Sequence, residues 1–174
     1  IIHSERPSKK MIETGGSNEI IQFWVNTPSK HKMEPPYYLP LSANKTPSIK
    51  KANAIIDVVA GKFENVQGPA RTYSPQTLLR LDTKAGADLL LEIPKSYNAV
   101  IYLLDGEVES NGQTAREKDM LWFNNDGEKI AIKVTKDSRF ILLSGEPIGE
   151  PVATYGPFVM NTEDEIRQAI ADYQ

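Results

Sequence analysis

Cysteine is absent from this 174-residue chain, and histidine occurs only twice. The first absence excludes disulfides, thiolate nucleophiles and cysteine-ligated zinc or iron–sulfur sites. Any metal must therefore be held by imidazole and carboxylate groups. No apolar run approaches the roughly 20 residues that cross a bilayer, and no basic segment followed by an apolar one opens the sequence. The expectation is a protein without a membrane segment, at home in the reducing cytoplasm. An excess of positive charge is missing too, since the net charge is −3. The basic residues fall in small groups such as Lys9-Lys10, Lys30-His31-Lys32 and Lys50-Lys51, which suit a solvated surface better than a polyanion-binding stripe. Direct binding to nucleic acid is not expected.

What the chain does contain, from Ala54 onward, is a succession of short apolar stretches separated by turn signals. Strands are predicted over residues 54–60, 77–82, 89–93, 99–104, 107–110, 120–123, 129–135 and 139–144. Ile130, Ile132 and Val134 alternate with Ala131 and Lys133, the period of a strand with one buried face. Asp105-Gly106, Asn111-Gly112 and Asp126-Gly127 are tight-turn dipeptides. Many short strands without intervening helices point to an all-β, antiparallel barrel. Residues 29–52 differ, because Pro35, Pro36, Pro40 and Pro47 break any regular element, and this stretch reads as a connection between domains. Before it, Ile20–Val25 is a strand candidate. After the barrel, Thr162-Glu163-Asp164-Glu165 is a capping box, with Ile166, Ala169, Ile170 and Tyr173 on one face of a short C-terminal helix.

Candidate chemistry sits at the start, in His3-Ser4-Glu5. Two residues apart on an extended strand, His3 and Glu5 project from the same face and could ligate one divalent ion. On spacing alone the tripeptide fits an exposed pair on a frayed terminus better than a metal site. His31, in a polar stretch, reads as solvated surface. Phe23, Trp24 and Trp122 read as core residues of strands rather than the lining of a flavonoid pocket. Asp57, Arg80 and Glu92 read as the exposed side of the strand alternation.

Longer stretches resemble a known family. Ile1-Ile2-His3-Ser4-Glu5, then Gln22-Phe23-Trp24-Val25-Asn26, Pro28 and Lys32-Met33-Glu34-Pro35-Pro36-Tyr37 resemble the pirin signature. Leu143-Ser144-Gly145-Glu146-Pro147 and Gly156-Pro157-Phe158-Val159-Met160-Asn161-Thr162 resemble the ending of the second pirin domain. The resemblance implies a bicupin, two jelly-roll (double-stranded β-helix) barrels in one chain, of which this sequence holds the C-terminal half. It divides the chain into residues 1–28, the last metal-site strands of the N-terminal cupin; 29–52, the connection; 53–152, the C-terminal cupin barrel; and 153–174, the terminal segment and helix.

Pirins are implied to hold one mononuclear metal, usually iron, in the N-terminal barrel through three histidines and a glutamate. The last two of these ligands match His3 and Glu5, and the upstream His-x-His pair has no match in this sequence. In the second barrel the corresponding ligand positions fall at Ile93, Lys95 and Ala99, none of which can bind a metal, so that barrel is expected to be structural. By resemblance to quercetin 2,3-dioxygenases, the substrate would be a flavonol-like aromatic, with Glu5 as ligand and proton acceptor and His3 holding the ion. A rival reading from animal pirins is a metal-responsive regulator of transcription that works by protein contact. Taken as these residues alone, half a ligand set would leave a silent fragment with exposed apolar faces at Ile1–Ile2 and Ile20–Val25.

Overall fold

In the computed structural model, which describes residues 6–173, the strand alternation of the sequence becomes the inside and outside of a jelly roll. The strands are β1 (Ser48–Lys51), β2 (Ala54–Ala60), β3 (Lys62–Phe63), β4 (Val66–Gln67), β5 (Gln76–Thr83), β6 (Asp88–Glu92) and β7 (Asn98–Ser110). They continue with β8 (Gln113–Arg116), β9 (Met120–Phe123), β10 (Lys129–Gly145), β11 (Ala153–Tyr155) and β12 (Phe158–Met160). Two helices, α1 (Lys9–Thr14) and α2 (Glu163–Tyr173), lie outside this run.

The chain separates into two compact units, residues 39–151 and residues 1–38 with 152–174. In the first, β7 and β10 are long enough to serve two sheets at once. The far half of β10 pairs with β5, extending to β2 and β1, while its near half pairs with β6. Likewise β7 pairs with β9 through Ala99–Tyr102 and with β8 through Glu107–Ser110, and it pairs with β10 along most of its length. Inward side chains from both sheets, among them Ile56, Leu79, Leu81, Leu91, Ile101, Val108, Ile132, Phe140 and Leu142, form one apolar core. Each of these large side chains, once fully buried, adds about 1.5–3 kcal/mol of transfer free energy.

Asp105-Gly106 is not a hairpin turn, as the sequence suggested, but a corner inside one continuous strand. The pairing of β7 with β10 shifts register between Val134 and Phe140, and both strands pass there from one sheet to the other. Gly106 has φ +88°, and an added Cβ would lie 2.1 Å from Ser138 Oγ and 2.3 Å from the Asp137 carbonyl oxygen. Only glycine allows the two backbones to approach this closely. Asn111-Gly112, by contrast, is a true two-residue hairpin loop, with both residues at positive φ between Ser110 and Gln113.

The corner is tied down by charge. Glu107 Oε2 accepts from Arg116 Nε at 3.0 Å and Lys136 Nζ at 3.2 Å, while its Oε1 accepts from Thr135 Oγ1 at 3.0 Å. Asp105 binds Arg139 through both the backbone N–H (2.9 Å) and Nε (2.6 Å). Asp137 accepts from Lys84 Nζ and from the Ala85 backbone N–H, each at 2.9 Å.

In the other unit, α2 begins at the capping box the sequence announced. Glu165 N–H donates to Thr162 Oγ1 at 3.2 Å and Thr162 N–H donates to Glu165 Oε2 at 2.9 Å, while Ile166 is buried. Phe158 meets Tyr173 edge to face at 5.8 Å. α1 is capped by Ser8, whose Oγ accepts from the Met11 N–H. Residues 20–25 form no strand: they find no strand to pair with among the described residues, and an unpaired segment of this kind has no ladder to hold it extended.

Candidate metal centre and its surroundings

His3 and Glu5, the expected metal pair, and Ile1–Ile2 lie outside the described residues. What the structure places is the stretch that follows them. Lys32 Nζ donates to Asn26 Oδ1 at 2.7 Å and to the Thr27 carbonyl at 2.8 Å, closing a short loop over Pro28 and a single 3-10 turn at Ser29–His31. The turn carries His31 to Glu34, with Nδ1 and Oε1 2.5 Å apart. His31 is thus only partly exposed and held against the Glu34 carboxylate, not the solvated side chain expected of its polar neighbourhood. The i, i+3 spacing was the available sequence signal, since one turn brings such residues together.

None of the three aromatic residues read as core is a core residue. Trp24 is 61% exposed and Trp122 71% exposed, while Phe23 is 40% exposed. Trp24 and Phe23 stand on the unpaired stretch, and Trp122 stands on the outward side of β9, where the alternation turns Leu121 and Phe123 toward the core instead.

In the jelly-roll unit, Ile93 and Ala99 are buried in the apolar core, and Lys95 is exposed. Among the described residues no group of three or more His, Cys, Asp or Glu side chains could hold a metal ion. Polar residues on the strands are engaged elsewhere. Asp57, 15% exposed, receives Arg80 Nη2 at 2.8 Å and Ser48 Oγ at 2.5 Å, a cross-strand pair the sequence did not announce. Glu92 faces Lys129 at 3.3 Å. An open groove of about 420 Å³ runs over the outer face of β6, β10 and the β7–β8 turn, lined in part by Leu90, Asn111, Ala131 and Lys133.

Electrostatics are perturbed at the corner. Hydrogen bonds from Lys136 and then Thr135 hold the Glu107 carboxyl below its ordinary range, and Lys84 with the Ala85 N–H does the same for Asp137. The hydrogen bond to Asp137 raises Lys84 in turn. These partners lie far apart along the chain, so no sequence spacing marked them. Tyr97 is raised, chiefly because burial disfavours the phenolate, with Glu146 adding repulsion.

Known proteins place this arrangement. Residues 78–174 match the Pirin C-terminal cupin domain. Pirin-like protein 2 of Arabidopsis thaliana is 37% identical over 182 residues, covering 99% of this chain and 55% of its own length. Human pirin is 32% identical over 179 residues, covering all of this chain and 60% of its own length. The crystal structure of a quercetin 2,3-dioxygenase from Acinetobacter baumannii superposes with a TM-score of 0.83 at 32% identity, over 86% of this chain and 53% of that one. The chain thus spans little more than half the length of these relatives.

Proposed function

The chain belongs to the pirin family of cupin proteins, and from that premise we propose that it contributes His3 and Glu5 to a mononuclear metal centre in a protein that oxygenates flavonols, as a quercetin 2,3-dioxygenase does. The observation that carries this reading is the likeness to the A. baumannii quercetin 2,3-dioxygenase together with the His3-Ser4-Glu5 tripeptide.

The donor set fits such a metal in kind. One imidazole and one carboxylate, with no thiolate in the chain, suit a divalent first-row ion such as iron, and two protein ligands leave the remaining positions to the upstream His-x-His pair of the family and to substrate. A metal bound there would supply Lewis acidity toward the flavonol oxygens. Glu5 would accept the flavonol hydroxyl proton at a carboxylate oxygen, because a carboxylate next to a divalent cation stays ionised at neutral pH. His3 would hold the ion and fix its distance from Glu5. The jelly-roll unit, with its apolar interior, would act as a scaffold.

Metal content and oxygen uptake test the reading together. In a polypeptide carrying the upstream His-x-His strand ahead of these residues, iron should be retained at about one per chain and quercetin should drive oxygen consumption. His3→Ala should lower metal affinity by at least ~10–100-fold, and Glu5→Gln should depress turnover. Oxygen consumption unchanged in His3→Ala would refute the proposal.

A further inference from the structure

We propose that Asn111 is a self-modifying site of the folded protein, at which the Gly112 backbone nitrogen closes on the Asn111 side chain and converts it to aspartate and isoaspartate. Asn111 is the one asparagine of the sequence followed by glycine, the residue whose missing side chain leaves its N–H open to approach. The structure sets the pair at the tip of the β7–β8 hairpin, with Asn111 at φ +49° and Gly112 at φ +75°. Both are exposed, and nothing lies within 4 Å of where a Gly112 Cβ would stand. Among the described residues no hydrogen bond holds the Asn111 amide or the Gly112 N–H. The strand ends beneath the tip are fixed, since Ser110 pairs with Gln113 and its buried hydroxyl donates to the Ala131 carbonyl at 2.9 Å. Rotation confined to the two loop residues therefore opens the tip and not the sheet.

The reaction balances with water alone. Gly112 N bonds to Asn111 Cγ as its proton passes to solvent base, and the Cγ–Nδ2 bond breaks to release ammonia. Water then opens the ring at either carbonyl, giving aspartate or, where the chain runs on through the side chain, isoaspartate. Either product adds a negative charge to the groove that Asn111 shares with Asp88, Glu109 and Lys133. Isoaspartate also adds a backbone atom to a loop of two residues. The same chemistry is shut out at Asp105-Gly106. There Arg139 holds both carboxylate oxygens, at 2.9 and 2.6 Å, and Gly106 is packed against Ser138. Asn125 and Asn98 hold each other at 3.1 Å, and each is followed by a residue with a side chain.

Peptide mapping of the folded protein tests this. After incubation in mildly alkaline buffer, trypsin releases residues 96–116, which carry both dipeptides. Fragment masses should show acid in place of amide at Asn111, with isoaspartate there, none at Asp105, and Asn98 unchanged. The rate should not move with urea kept below the unfolding midpoint, because only the loop opens. In urea that unfolds the protein, Asp105 should isomerise too. An Asn111 that stays amide while the free peptide of the same sequence converts would overturn the proposal. So would a rate that climbs with urea below the midpoint, which would assign the reaction to the unfolded chain. Isomerisation of Asp105 as fast as conversion of Asn111 in the folded protein would overturn the selection of one dipeptide by the fold.

Discussion

A methyl group at Gly106 would test how the jelly roll turns its corner. The residue sits at φ +88°, where an L side chain adds roughly 1–2 kcal/mol of strain. The new Cβ would fall 2.1 Å from Ser138 Oγ and 2.6 Å from its Cα, so the β10 backbone must retreat. Retreat breaks the bond by which the Glu107 N–H donates to Ser138 Oγ at 2.9 Å, and leaving that donor unsatisfied costs about 1–3 kcal/mol. Gly106→Ala should therefore destabilise the fold by about 2–5 kcal/mol. Gly112→Ala is the control, since it has φ +75° but nothing within 4 Å of the added Cβ, and should cost only the strain of about 1–2 kcal/mol. Urea unfolding followed by circular dichroism measures both. Equal losses for the two variants would refute the close approach at the corner, whatever their absolute size.

Acid should loosen the same corner. Glu107 and Asp137 are held below their ordinary values, so their pairings contribute stability that is complete above the ordinary carboxylate range and is lost as pH falls through the lowered values. Glu107→Gln should accordingly be less stable than wild type at neutral pH, with the gap closing in acid, as urea midpoints across pH would record. Lys84 is shifted upward, so its contribution holds below the ordinary lysine value and disappears as pH rises through the raised one; Lys84→Met should flatten stability in strong alkali. Phe140→Ala empties a fully buried core position on the strand shared by both sheets and should cost about 3–5 kcal/mol, read from the same unfolding curves. His31→Gln should leave the unfolding midpoint within about 0.5 kcal/mol of wild type, because its pair with Glu34 is partly exposed.

Much of the fold was legible because its determinants are local. The alternation of Ile130, Ile132 and Val134 gave the buried face of β10, Asn111-Gly112 gave a hairpin, and Thr162 with Glu165 gave the start of α2. Asp105-Gly106 misled for a physical reason. A glycine at positive φ serves a turn and a strand corner alike, and only the approach of Ser138, more than thirty residues on, separates the two. Ile20–Val25 has strand composition, but a strand also needs a neighbour. The metal pair rests on family resemblance and not on geometry, since a His-x-Glu tripeptide specifies a site only when the fold brings further ligands to it. Trp122 read as core and is exposed because the sequence marks a strand's period without marking which of its faces meets water.

The central claim, a pirin-type metal centre that oxygenates flavonols through His3 and Glu5, is tested most directly with an oxygen electrode. The protein, loaded with ferrous iron and carrying the upstream His-x-His strand, is given quercetin and compared with its His3→Ala variant. Oxygen uptake that requires both quercetin and iron, and that His3→Ala abolishes, is the predicted result. Absence of quercetin-dependent uptake from the iron-loaded protein, or uptake that survives His3→Ala, would contradict it.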